Sequence, residues 1–116
     1  MSRQTITSNH QTNEDGTPAG GVTRGTGIDI EWQNGPLAHH DPETGERVEG
    51  VQNGAFVEGV IEAAIDRIHH YNTVADGRFR CRENSLAITK LEEALHWLDA
   101  RTSRRTQEGK LGTHEA

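Results

Sequence analysis

Arg101 and Arg105 sit four residues apart at the end of CRENSLAITKLEEALHWLDARTSRR, Cys81 to Arg105. That spacing puts both on one helix face. Two neighbouring guanidiniums can take phosphate oxygens through paired, charge-assisted hydrogen bonds. The same residues can instead pair with Asp99 or Glu108 on a solvated surface, and spacing does not decide between the two. Tyr71 precedes the stretch, where an aromatic ring either stacks on a base or packs against its own helix. Arg24 lies in GGVTRGTG. This segment has the glycines of a phosphate loop but lacks the Gly-Lys-Ser/Thr ending, and a strand pattern follows it where a helix is needed. It reads as flexible linker, with Arg24 still able to reach a ligand. His39-His40 and His69-His70 read as surface residues, because adjacent imidazoles rarely converge on one ion and no cysteine pair or carboxylate spacing supports them. Cys81 has no marked base nearby and reads as a buried structural thiol. No paired catalytic carboxylates stand out. A non-enzyme is expected, without cofactor or metal.

Something must position these groups, and composition limits what it is. The chain has 116 residues, 31% hydrophobic and 4% aromatic, with 13 glycines. A chain of this size buries a modest share of its surface. A monomer with so few apolar residues is marginal, so an oligomer that completes the core is expected. No apolar run reaches the ~20 residues needed to span a bilayer, and the first residues carry no apolar signal core. With a single cysteine, these point to a cytoplasmic protein. The net charge of −6 argues against DNA or RNA as partner. The charge is uneven, however: eleven of the 18 acids fall between Glu14 and Asp66, and eight of the 12 bases between Arg78 and Lys110. A local positive field that receives a small anion fits this pattern, and so does a pair of solvated helix ends.

The fold class expected is α+β. Residues 1–20 are polar and read as a flexible lead; residues 21–116 read as one domain. Within it, a β region spans 27–52, a helical hairpin 53–106 and a tail 107–116. Ile28, Ile30 and Trp32 alternate with Asp29, Glu31 and Gln33, the period of a strand with one wet face. Asn34-Gly35 and Asp41-Pro42-Glu43-Thr44-Gly45 are turn signals, and a short strand is expected near Glu46 to Val51. In the first helix Val57, Val60, Ile61, Ala64, Ile65 and Ile68 form an apolar stripe, with Asn53 as its cap. In the second, running from Cys81 to Arg105, the stripe is Ala87, Ile88, Leu91, Ala94, Leu95 and Leu98. Leu86 and Trp97 lie off it, so a second covered surface is expected.

The segments GIDIEWQNGP, NGAFVEGVIEAAIDRI, FRCRENSLAITKLEEALHWLDARTSRR and the ending GTHEA resemble the Thoeris anti-defence sponge family of bacteriophages, over roughly residues 20–116. The hairpin is also similar to that of the phage anti-CBASS sponges. The resemblance implies a protein of the host bacterial cytoplasm that holds a cyclic ADP-ribose-type signal, glycocyclic ADP-ribose, intact. It implies hexamers in some members, and in some members separate sites for cyclic oligonucleotides. It places Tyr71 on the adenine, Asn84 in the pocket and Arg101 and Arg105 beside them. The connection from Tyr71 to Cys81 is a few residues longer than the family's.

Asn84 and Arg101 are seventeen residues apart, about 25 Å along a helix at ~1.5 Å per residue. A cyclic dinucleotide-sized ligand is more compact than that. An antiparallel two-fold dimer would bring Tyr71, Arg82 and Asn84 of one chain to Arg101 and Arg105 of the other, twice. The alternatives are a sponge for cyclic oligonucleotides and a protein-binding inhibitor that uses the hairpin surface.

Overall fold

The computed structural model describes residues 5–35, 37–41 and 43–107, and for 38–40 and 105–107 the backbone alone. The turn at Pro42, the side chains of His39, His40 and Arg105, and the tail from 108 lie outside what is described. The chain divides into two compact units, one reaching through Phe56 and the other spanning Val57–Arg104.

The first unit opens with a three-stranded antiparallel meander: β1 (Ile6–Thr12), β2 (Pro18–Gly25) and β3 (Ile28–Trp32), in the order β1-β2-β3. The alternation read in residues 28–32 is β3. The flexible lead expected over residues 1–20 instead contains β1 and the start of β2. The linker expected at GGVTRGTG is largely β2, and its glycines have a steric cause. A Cβ on Gly21 would collide with the carbonyl oxygen of Asn9 on β1, and one on Gly25 with that of Thr5. Buried Thr23 anchors the sheet: its Oγ1 accepts from Trp32 Nε1 at 2.8 Å and shares a 2.9 Å hydrogen bond with Ser8 Oγ.

Asn53 is not a helix cap. Asn34 N donates to its Oδ1 at 2.7 Å, and its Nδ2 donates to Asn34 O at 2.9 Å. Its carboxamide thus stands in for a backbone pairing partner. Gln33 Oε1 accepts from the neighbouring N–H groups of Asn53 and Gly54, and Ala55 extends the edge of β3 through a parallel bridge to Trp32. Two short strands, β4 (Ala38–His40) and β5 (Arg47–Glu49), form a separate antiparallel pair. The loop between them closes through Gly45 N to Asp41 O at 2.8 Å.

The second unit holds α1 (Val57–Gly77) and α2 (Arg82–Gln107). On α2 the expected stripe stands: Ile88 is buried, and Ala87, Leu91, Ala94, Leu95 and Leu98 are half-buried. On α1, Val60, Ile61, Ile65 and Ile68 are half-buried, while Val57 and Ala64 are exposed. One reading fails here. Cys81 is exposed, because it sits in the turn ahead of α2 and off the stripe. Trp97 is 74% exposed and Leu86 is exposed, so the described residues of one chain leave the second surface of α2 open. Ile88 is the one buried hydrophobic side chain among the described residues.

The end of α1 is not regular helix. Val74 is extended, and Ala75 (φ 51°), Asp76 (φ 56°) and Gly77 (φ 82°) follow in the left-handed region. Glycine is at ease there and aspartate tolerates it, but alanine pays for its Cβ. Ala75→Gly is expected to stabilise the protein by about 0.5–1 kcal/mol, the relieved strain outweighing the added freedom of the unfolded chain. Urea unfolding measures this; a lowered midpoint would show that the turn is not strained at Ala75.

Candidate functional site

Arg24 lies on β2 and is exposed. It faces Asp29 across β2 and β3, and its Nε donates to Asp29 Oδ1 at 3.0 Å. The guanidinium is held as half of an exposed cross-strand pair.

The other candidates lie on the helices. Tyr71, at 44% exposure, stands in the last regular turn of α1, whose helical geometry continues to Thr73. Arg67 lies one turn earlier. Its Nε donates to Tyr71 Oη at 3.2 Å, and its Cζ sits 5.0 Å from the ring centroid. This contact was legible in principle, because a base and an aromatic four apart meet on a helix face. Arg67 also lines an open depression of about 390 Å³ on α1 with Asp66, His69, His70 and Thr73. Arg78, just beyond the left-handed turn, lies 4.9 Å over the Phe79 ring. Arg80 and Arg82 follow, both exposed. The turn between the helices is therefore cationic and carries two exposed aromatic rings, Tyr71 and Phe79.

Asn84 is in the first turn of α2 and half-buried. Its Nδ2 donates to Asn72 Oδ1 at 3.2 Å. Asn72 is 7% exposed, the buried polar residue of α1. It falls in register with Ile61, Ile65 and Ile68, and a polar residue at that point of an apolar stripe was the signal that could have singled it out. Arg101 is exposed near the far end of α2 and forms no ion pair among the described residues, so the expected Asp99 partner is not engaged. Arg105 lies on the same helix by its backbone.

The structure thus brings Tyr71, Asn72, Arg82 and Asn84 to the turn end of the hairpin and leaves Arg101 at the other end. α2 is continuous from Arg82 to Gln107, so the separation of Asn84 from Arg101 is the full ~25 Å of seventeen helical rises. Chemically, the turn end offers an aromatic face, a carboxamide and several guanidiniums. Among the described residues no three His, Cys, Asp or Glu side chains cluster to hold a metal, and no helix is long and apolar enough to cross a membrane.

A strand, then a hairpin of two long helices with arginines at both ends, is the arrangement covered by a family model described as "Acb2/Tad1, hairpin domain", which matches residues 26–103. The chain belongs to that family. It is 44% identical over 86 residues to "Thoeris anti-defense 1" of Bacillus phage SBSphiJ7, an alignment covering 74% of this chain and 51% of the relative. The chain spans about half the length of that relative. β1 and β2 lie ahead of the region that the family model matches.

Proposed function

We propose that this protein is a phage anti-defence sponge that binds a cyclic ADP-ribose-type nucleotide and blocks Thoeris signalling by holding it unchanged. One observation carries the reading. α2 separates two sets of nucleotide-binding groups, Arg82 and Asn84 at its start and Arg101 at its end, by more than a compact nucleotide can bridge. Each set is half a site. Tyr71 offers a face for adenine, Arg101 and Arg105 take the diphosphate, and the halves come from two antiparallel chains. The half-buried stripes and the exposed Trp97 and Leu86 supply apolar surface for such an assembly. Binding and release need no hydrolytic groups. The name of the phage relative supports the pathway, and the family supports a hairpin-based site.

The test has two parts. Protein incubated with glycocyclic ADP-ribose and then heat-denatured should release the nucleotide unchanged; conversion to a linear product would make it a hydrolase. In calorimetry, Arg101→Ala should weaken binding by about 1.5–3 kcal/mol, the worth of a charge-assisted hydrogen bond. Tyr71→Ala should cost about 1–3 kcal/mol through lost stacking. Tyr71→Phe should cost little, because the hydroxyl's bond to Arg67 is exposed. Wild-type affinity in Arg101→Ala would remove the phosphate clamp.

The exposure of Trp97 also favours a second reading, a hairpin that inhibits by binding another protein. Full anti-defence activity with Arg101 and Arg105 both neutralised would select it.

A further inference from the structure

Asn72 is nine-tenths buried, polar, and placed where the stripe of α1 calls for an apolar side chain. A buried carboxamide is costly unless it is hydrogen-bonded, and among the described residues its side-chain partner is Asn84. Asn84 has two ends. Its nitrogen donates to Asn72 Oδ1, while its own Oδ1 has no partner among the described residues. The orientation of an amide decides what it reads: the nitrogen end seeks an acceptor and the oxygen end a donor. We propose that Asn72 is a positioning residue that holds the Asn84 carboxamide nitrogen-inward, so that the pocket meets a hydrogen-bond donor of the nucleotide with Asn84 Oδ1. This rests on the nucleotide site proposed above and adds its polarity.

The donor on a cyclic ADP-ribose-type ligand is the exocyclic amine of adenine or a ribose hydroxyl. Both have the same chemistry toward a carbonyl oxygen, so the ligand has to be varied. Asn84 itself touches the ligand; Asn72 acts only through it. Removing Asn72 therefore leaves the groups that bind in place and frees the amide to turn. A freed Asn84 can satisfy a donor or an acceptor, so discrimination between ligands falls further than affinity does. A purely structural role for Asn72 would lower stability and leave that discrimination unchanged.

The experiment uses glycocyclic ADP-ribose, its inosine counterpart, in which a carbonyl replaces the amine, and its deoxyribose counterparts. With the wild-type protein, one class of analogue should bind about tenfold more weakly than the parent, the worth of one good hydrogen bond. Loss with the inosine form assigns the amine, and loss with a deoxy form assigns the hydroxyl. Equal affinity for all of them overturns the proposal. With Asn72→Leu, binding of the parent should weaken by about tenfold, and the preference between parent and analogue should vanish. An unchanged preference overturns the positioning role. A ligand-free measurement guards against a variant that does not fold. In ¹⁵N-labelled wild-type protein the side-chain amide protons of Asn84 should exchange slowly, and exchange as fast as an exposed asparagine overturns the inward orientation. Absence of any glycocyclic ADP-ribose binding by the wild-type protein overturns the nucleotide reading and the ligand half of this proposal, while the amide exchange still decides what Asn72 does.

Discussion

A chain carrying Leu91→Asp and Leu95→Asp is expected to lose its assembly and most of its cooperative unfolding. Both leucines are half-buried on the stripe of α2, one turn apart, flanking Ala94 and following buried Ile88. Replacing a buried leucine by a small residue costs about 2–5 kcal/mol, and a carboxylate left without a partner in an apolar setting adds to that. Total stability of an ordinary domain is about 5–15 kcal/mol. Two such changes consume most of it. The unit of Val57–Arg104 begins with little to spare, since among its described residues only Ile88 and Asn72 are buried. Sedimentation velocity is the measurement: wild type as a dimer or larger at micromolar concentration, the double variant as an expanded monomer. Glu92→Gln, exposed on the same helix, should behave as wild type. A wild-type protein that sediments as a folded monomer would contradict the assembly.

How much of this could be read from residues alone follows from where burial leaves a periodic mark. α2 was legible almost to the residue, Cys81–Arg105 against Arg82–Gln107, because six stripe residues repeat at helical spacing. β3 was legible because one of its faces alternates with the other. β1 was not: all seven of its residues are exposed, so its hydrogen bonds leave no apolar pattern. β2 was obscured by its own glycines. They were read as freedom, but at Gly21 and Gly25 they permit close approach of the neighbouring chain. Asn53 illustrates a different limit, since a capping side chain and one that pairs with a distant backbone are the same residue in the sequence. In the candidate site, the cationic and aromatic character was visible from residue types. Arg67 over Tyr71 and Asn72 behind Asn84 are contacts on a helix surface and across a turn, and these need geometry. Arg24 shows the reverse, a residue of suitable chemistry whose cross-strand neighbour, Asp29, occupies it.

Mixing two binding-defective chains, Tyr71→Ala and Arg101→Ala, is expected to restore wild-type sites. The expectation rests on helix length rather than on family likeness. Tyr71 lies at the turn end of the hairpin and Arg101 near the far end of a continuous α2, so a compact ligand that touches both must take them from different chains. In a mixed two-fold dimer one pocket receives the intact Tyr71 of one chain and the intact Arg101 of the other. The second pocket receives both defects. Random reassortment makes about half of all dimers mixed, so about a quarter of all pockets regain full affinity. If both groups of a pocket came from one chain, every pocket would keep a defect and mixing would restore nothing. The chains must be co-expressed or refolded together so that subunits exchange, and native mass spectrometry with a mass-tagged chain confirms the mixed dimer. Calorimetry then counts the tight sites. The contrast is large, because each single variant is weakened by about 1–3 kcal/mol and the restored quarter stands apart as a distinct tight phase. Mixed dimers without that phase would reject the two-chain pocket, and return the arginines of α2 to a solvated helix end.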